Sequence, residues 1–159
     1  MTQASAPTEP AIPGGGADPD VGAMAAHLRV GATRLARLLR RQGDTGLSPS
    51  QISALTSIER HGPMTLGQLA EHERVAPPSI TRVVDKLVER GLVVRVPDPV
   101  DRRVTRVSTT PAGDTLLADV RVRKDLWLAA RLAGLDDDQR ARLAAALDVI
   151  DALTSRERV

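Results

Sequence analysis

The sequence lacks cysteine and has almost no aromatic residues. Cysteine, phenylalanine and tyrosine are absent, and Trp127 is the single tryptophan among the 159 residues. Without cysteine the chain has no disulfide, no thiolate ligand for a metal and no thiol that could sense oxidants. Proteins that bind single-stranded nucleic acid stack its bases on aromatic side chains, and this sequence has almost none to offer.

A long apolar run and an excess of one charge are also missing. No run approaches the roughly 20 apolar residues that span a bilayer, and the N-terminus lacks the basic and then apolar pattern of a signal peptide. We therefore expect a cytoplasmic protein without a membrane partner. The net charge is only +2, from 22 basic and 20 acidic residues. Residues 74–106, however, combine eight basic with four acidic residues, a local charge of +4 that could neutralise phosphates.

Two consecutive helices are predicted between Thr65 and Gly91. The residues from Thr65 to Gln68 form a capping box, which begins a short helix that ends near His72. A longer helix begins at Pro77, because proline is tolerated in a first turn whose N–H groups have no partner. Gly91 ends that helix by adopting the left-handed conformation. The apolar residues of the longer helix recur at the spacing of one buried face: Ile80, Val83, Val84, Leu87 and Val88.

A β-hairpin is predicted directly after these helices. Residues 92–96 and 104–108 have the composition of strands. The segment between them, Pro97 to Arg103, has the proline, aspartate and arginine content of an exposed hairpin tip. Met64 is expected to add a very short strand that pairs with this hairpin. Helix, turn, helix and hairpin in this order predict a winged helix, a unit that reads double-stranded DNA.

Further helices flank this unit, and they carry apolar stripes without a core of their own. We predict a disordered tail over residues 1–19, a helix over 20–41, a helix that begins with the capping box of residues 48–51, a helix from Thr110 to about Ala133, and a last helix capped by Asp136. Two copies of the chain that interleave these helices would bury the stripes, commonly as a C2 dimer. The predicted fold class is mainly α with a small β-wing: a winged helix-turn-helix flanked by N- and C-terminal dimerisation helices.

Several motifs resemble those of the MarR family of bacterial transcriptional regulators. They are Leu69-Ala70, Ser79 to Leu87, Arg90 to Val93, Asp98 to Arg103 and Thr110 to Gly113. The resemblance extends over residues 20–159, with the winged helix at about 47–110 and the dimerisation helices at about 20–42 and 110–155. It implies a homodimer on inverted-repeat operators that responds to a small hydrophobic or phenolic effector. Such effectors bind where the dimerisation helices meet the winged helix, and Trp127 is the candidate effector-binding residue.

The predicted DNA contacts lie on the longer helix and on the wing. They are the polar residues off the apolar stripe, the helix start and the charged hairpin tip: Pro78, Ser79, Thr81, Arg82, Lys86, Asp101, Arg102 and Arg103. Arg82 is expected to contact a guanine edge or a phosphate. The resemblance implies that Arg103 inserts into the minor groove. Because residues i and i+2 share a face of a hairpin, Asp101 is expected to hold the Arg103 guanidinium in place.

Other classes of function find less support in the sequence. His72 stands between Glu71 and Glu73, but adjacent side chains on a helix diverge, so neither a metal nor another cofactor is expected. The absence of a nucleophile–base pair and of a phosphate-cradling glycine loop argues against an enzyme. We expect a sequence-specific DNA-binding repressor. An activator, or a winged-helix adaptor that binds protein without binding DNA, remains an alternative.

Overall fold

Six helices and three short strands follow one another along residues 19–155, the part of the chain that the structure, a computed structural model, describes. They are α1 (Pro19–Gln42), α2 (Pro49–His61), β1 (Met64–Thr65), α3 (Leu66–His72), α4 (Pro77–Glu89), β2 (Val93–Pro97), β3 (Thr105–Thr109), α5 (Pro111–Ala133) and α6 (Asp137–Ser155). The predicted disordered tail lies outside the described residues, except for Pro19, which begins α1. None of these helices is long and apolar enough to cross a membrane.

The chain divides into two compact units, one that ends at Leu38 and one that begins at Leu39. The first unit contains most of α1, and large apolar side chains of that helix are exposed: Val21, Met24, Leu28, Val30, Leu35 and Leu38. The second unit contains α2 to α6 and all three strands. The predicted division into winged helix and dimerisation helices stays a prediction.

Both predicted capping boxes begin a helix. At the start of α2 the Ser48 hydroxyl accepts the Gln51 N–H at 3.3 Å, and the Gln51 side chain accepts the Ser48 N–H at 2.7 Å. Thr65 and Gln68 repeat the arrangement at the start of α3. Each box satisfies two backbone N–H groups that a helix start leaves without partners. Both predicted helix starts are therefore confirmed.

The end of α4 is also as predicted, and it is a Schellman motif. Gly91 has a φ of 68°. Its N–H donates to the Val88 carbonyl at 2.9 Å, and the Leu92 N–H donates to the Leu87 carbonyl at 3.0 Å. Gly91 occupies the position of the motif that requires the left-handed conformation. This conformation is sterically unfavourable for residues with a Cβ atom but not for glycine.

Both strands of the hairpin begin one residue later than predicted. β2 begins at Val93, because the residue before it still completes the cap of α4. β3 begins at Thr105, because Val104 belongs to the hairpin tip. The Val104 N–H donates to the Asp101 carbonyl at 2.9 Å, and the Val104 carbonyl accepts the Asp98 N–H at 2.8 Å.

The strands form one antiparallel sheet in the order β1-β3-β2. Met64 in β1 pairs with Val107 in β3, and Val107 pairs on its other side with Arg95 in β2. The prediction that Met64 joins the hairpin is confirmed. This pairing ties the wing to the chain just before α3.

The core lies among α2, α3, α4, the sheet and the first part of α5. Its buried residues are Ala54, Leu55, Ile58, Met64, Leu69, Ala70, Ile80, Val84, Leu87, Leu92, Val93, Val107 and Leu117. Val83 and Val88, predicted on the buried face of α4, are only half-buried and pack against this cluster. A helix that packs on one side buries the middle of its apolar stripe fully and the flanks in part.

The first turn of α5 is fixed to the end of α4. The Thr110 hydroxyl donates to the Gly91 carbonyl at 2.6 Å and accepts the Gly113 N–H at 3.2 Å. Gly113 is buried, and a Cβ atom there would lie 2.3 Å from the Leu92 carbonyl oxygen. Only glycine permits this close approach of two backbones.

The later parts of α5 and α6 leave apolar side chains uncovered. α6 has no buried residue among those described. Exposed large apolar residues of the two helices are Val122, Leu126, Leu143, Leu147, Val149, Ile150 and Leu153. A surface of this kind is typical of a protein–protein interface.

Candidate nucleic-acid interface

α4 presents a polar face opposite its buried stripe. Ile80, Val84 and Leu87 are buried in the core, so the polar side chains on the opposite side of the helix point away from it. Four predicted contact residues of this helix are exposed: Pro78, Ser79, Arg82 and Lys86. Thr81 is half-buried and its hydroxyl donates to the Pro77 carbonyl at 3.0 Å. The burial of one face thus determines which residues a ligand of the other face would meet.

Two acidic residues of this region are paired, whereas the outward cations are not. Asp85 on α4 bonds with Arg95 on β2 at 2.5 Å, and Asp98 pairs with Arg106. Within residues 19–155 no ion pair occupies the cations of the predicted contact set: Arg82, Lys86, Arg102 and Arg103. Two of the four carboxylates in residues 74–106 that would repel phosphate are thereby neutralised, and the cations stay available for it.

The wing tip is exposed, and its backbone is held by hydrogen bonds. Asp101, Arg102 and Arg103 are all exposed. Asp101 Oδ1 accepts the backbone N–H of Arg103 at 3.0 Å. Within the described residues no hydrogen bond or ion pair joins the Asp101 carboxylate to the Arg103 guanidinium, so the predicted contact is absent: the two residues lie in a turn before β3, where the alternation of a strand does not apply. Asp101 instead shapes the backbone from which Arg103 projects.

Asp98 holds the hairpin tip together. Its exposed fraction is 5%. Oδ1 accepts the N–H groups of Val100 at 2.7 Å and Asp101 at 3.0 Å, and Oδ2 accepts the Nε–H of Arg106. The Asp98 N–H also donates to the Val104 carbonyl. One residue therefore bonds with both sides of the tip.

These hydrogen bonds lower the pKa of the Asp98 carboxyl from 3.8 to about 2. The N–H of Asp101 is the largest cause, followed by the Arg106 side chain and the N–H of Val100. The sequence predicts Asp98 to be exposed as part of the hairpin tip. Asp98 does lie in the tip, but its predicted exposure is wrong because the residue is buried. An aspartate that precedes a turn often accepts the backbone N–H groups of the residues two and three positions later. That pattern could have identified Asp98 as a residue that organises the turn.

The predicted contacts form two groups, one on α4 and one at the wing tip. Within the described part of the chain no hydrogen bond or ion pair joins a member of one group to a member of the other. The core beneath α4 positions the first group, and the hydrogen bonds of the hairpin tip position the second. A ligand that used both would have to extend from the helix to the wing, as duplex DNA does in winged-helix recognition.

A cleft lies between α2 and α5 in the described part of the chain. It has a volume of about 590 Å³, and its lining combines apolar with charged side chains: Ile52, Thr56, Glu59, Arg60, Leu117, Val120, Arg121 and Lys124. Trp127 does not line this cleft. Its ring instead lies 4.3 Å from the guanidinium carbon of Arg131, which is a cation–π contact along α5.

The residues around His72 are occupied by other contacts. The His72 ring stacks on His61 with centroids 4.5 Å apart, and the Glu73 carboxylate accepts the Ser57 hydroxyl at 2.5 Å. From Pro19 to Ser155, no three histidine, aspartate or glutamate side chains are grouped so that they could hold a metal ion.

α3 and α4 form a helix-turn-helix, and the hairpin of β2 and β3 forms a wing within a three-stranded sheet. These elements define a winged helix-turn-helix protein. The MarR family model matches residues 47–105. The chain is also 43% identical over 131 residues to the HTH-type transcriptional regulator MT0903.1 of Mycobacterium tuberculosis, a match that covers 82% of this chain and 92% of that one. The chain therefore belongs to the MarR family. It is a transcriptional regulator and not an enzyme, as the sequence predicts.

Two more distant proteins extend the comparison. The chain is 28% identical over 107 residues to the HTH-type transcriptional repressor MdtR of Bacillus subtilis. This match covers 67% of this chain and 69% of MdtR. The fold matches a mutant of the S. aureus protein MepR bound to an oligodeoxyribonucleotide, with a TM-score of 0.66 and 16% identity. That match covers 83% of this chain and 96% of the other, and it confirms the predicted winged-helix fold.

Proposed function

We propose that the protein is a homodimeric repressor that binds inverted-repeat operators and releases them when a small effector binds. The exposed face of α4 is the observation that carries the proposal. Arg82 and Lys86 lie there without an ion-pair partner in the described residues, on a helix whose other face is buried. Cations of this kind neutralise phosphates or donate to guanine edges. The DNA-bound MepR mutant has the same fold.

Dimerisation is supported by the uncovered apolar side chains of the terminal helices. Leu147, Ile150 and Leu153 of α6 are exposed, and α1 exposes apolar residues as well. Burying them against a second copy would remove apolar surface from water at about 25 cal/mol per Å². A two-fold axis would then place two copies of α4 in successive major grooves, with half-sites about 10 base pairs apart.

Repression is supported by the similarity to MdtR, which is a repressor. A bound dimer needs only to occupy a promoter to exclude polymerase. The proposal of repression over activation therefore depends on the position of the operator. Mapping the operator relative to the transcription start tests it.

The cleft between α2 and α5 supports the proposal of an effector. Ile52, Leu117 and Val120 supply apolar walls, and Arg60 and Lys124 supply positive charge. This combination favours a small hydrophobic acid, such as a phenolic carboxylate. Such a ligand releases DNA only if it binds the DNA-free conformation more tightly, so ligand and DNA must each weaken the other's binding.

The decisive experiment is a gel shift with the DNA upstream of the protein's own gene. A repressor should shift this fragment at a lower concentration than a scrambled duplex of equal length, and light scattering should show a dimer. An adaptor that binds protein would show no measurable affinity for duplex DNA. A monomer that binds an asymmetric site would contradict the dimer. Benzoate and salicylate are suitable first probes of the effector, and they should lower DNA affinity.

A further inference from the structure

We propose that Asp98 and Arg106 form a latch that positions the wing for DNA, although neither is among the predicted contact residues. This wing latch rests on the proposed function, since it assumes that the wing contacts DNA. Its role would be to hold the backbone of the tip so that Arg102 and Arg103 project in a fixed direction.

The wing latch joins three parts of the chain. The Asp98 carboxylate accepts two N–H groups of the tip and the Nε–H of Arg106 in β3. Arg106 Nη1 in turn donates to the Pro63 carbonyl at 3.1 Å. Pro63 lies between α2 and β1, outside the hairpin. The latch therefore connects the tip of the wing to the body of the winged helix.

The tip needs such a connection because it has no apolar packing of its own. Asp98 is the one residue from Pro97 to Arg106 that is buried, and Val100 is 94% exposed. A tip without packing would sample many conformations, and ordering it on DNA would reduce the affinity. Hydrogen bonds to a carboxylate are stronger than those between neutral groups. They order the tip before DNA arrives.

The charges of the wing latch make its function testable. A carboxylate near phosphates opposes binding, so electrostatics alone predicts that Asp98→Asn tightens the complex. The latch predicts the opposite. An asparagine side chain keeps one oxygen for the N–H groups of Val100 and Asp101, but it turns an NH₂ donor towards the Arg106 donor. The substitution therefore breaks the contact with Arg106 and leaves the turn acceptor in place.

The experiment is a double-mutant cycle on operator affinity. Asp98→Asn should weaken binding about 3- to 15-fold, the equivalent of one hydrogen bond. Arg103→Ala should cost much less in the Asp98→Asn background than in the wild type, because an unlatched tip already presents Arg103 poorly. Asp85→Asn is the matched control. It removes the same charge and breaks the exposed pair with Arg95, and it should leave the cost of Arg103→Ala unchanged.

Two results would overturn the wing latch. One is that Asp98→Asn binds as tightly as the wild type or more tightly, with Arg103→Ala equally costly in both backgrounds. The other is that Arg103→Ala costs nothing in the wild type. If the wild type binds no duplex DNA, the proposed function fails, and the geometry of the latch is tested separately as follows.

Hydrogen exchange tests the latch in the free protein, and it also serves if Asp98→Asn does not fold. Arg106→Lys keeps the positive charge and loses the Nε–H donor. The Val100 and Asp101 amides should then exchange faster, while the amides of α4 keep their rates. Unchanged exchange at Val100 and Asp101 would overturn the latch.

Discussion

α4 and the wing tip both expose cationic side chains, but different forces hold the two regions in place. α4 is fixed by apolar burial, with Val84 and Leu87 fully inside the core. The wing tip is fixed by hydrogen bonds that converge on Asp98. A helix can present a buried stripe and a free face at once, whereas a tip that extends beyond its sheet has no core to rest on. Polar contacts therefore hold the tip in one conformation.

This difference predicts how each region fails. A change in the support of α4 should lower the stability of the whole winged helix, because its support is the common core. A change in the support of the wing should alter DNA affinity and should lower global stability much less than a change in the core does. The following predictions test that separation, from the largest expected effect to the smallest.

Leu87→Ala should lower the free energy of unfolding by about 2–5 kcal/mol, since it removes a fully buried side chain and leaves a cavity. Thermal or urea unfolding measures the loss. Glu89→Ala, two residues further along α4 and exposed, is the control and should change stability little. Equal effects of the two substitutions would contradict the core-supported helix.

Arg82→Ala should cost about 1–3 kcal/mol of operator affinity, with unchanged unfolding. A relaxed preference at one base pair would identify a guanine contact, whereas a uniform loss across sequences would identify a phosphate contact. Arg82→Lys keeps the charge and separates the two cases. Unchanged affinity for every sequence would remove Arg82 from the interface.

Asp101→Ala should weaken DNA binding by about 0.5–1.5 kcal/mol, because the Arg103 N–H loses its acceptor. The direction is the test, because removal of a negative charge should otherwise tighten binding. Glu89→Ala removes a charge from α4 without such a loss, and it should bind as well as the wild type or better. Tighter binding of Asp101→Ala, measured by fluorescence anisotropy, would contradict a role for Asp101 in shaping the wing.

Arg74→Gly should stabilise the protein by up to about 1 kcal/mol. Arg74 is the one non-glycine residue of the described chain with a positive φ, 52°, and it follows the end of α3 in a left-handed conformation. Arg74→Ala removes the same side chain without relieving the backbone, so it should not stabilise. Equal melting temperatures for the two variants would show that Arg74 carries no strain.

The wing should respond to acid only at very low pH. Because the pKa of Asp98 is lowered, its ionised form stabilises the folded state fully above the ordinary value of 3.8. That contribution is lost as the pH falls towards about 2. The difference in melting temperature between the wild type and Asp98→Asn should therefore be constant from pH 7 to 5 and shrink below pH 4. A difference that disappears already near pH 6 would contradict this assignment.

The sequence predicts the helices of this fold better than the wing. Capping boxes at Ser48 and Thr65 and the glycine at position 91 are local signals, and the structure confirms each one. The exposed residues of α4 also follow from its apolar spacing. These features depend on residues within one or two turns of each other, which a single sequence displays.

The polar order of the wing depends on contacts that local patterns do not display. Arg106 reaches Pro63, 43 residues earlier in the chain, and the spacing of charges gives no sign of that contact. The alternation rule also fails for Asp101 and Arg103, because the strand begins after them. Trp127 is an effector candidate only through the family resemblance, and it does not line the cleft between α2 and α5.

Sequencing the genomic DNA fragments that the purified protein retains tests the central claim most directly, namely that α4 and the wing read DNA as separately anchored units. The wild type should enrich inverted repeats with half-sites about 10 base pairs apart. Arg82→Ala should change the preferred bases within the half-sites, and Arg103→Ala should reduce selection for A·T-rich flanks without changing those bases. Enrichment of no shared sequence by the wild type, or the same altered sequence in both variants, would contradict the account.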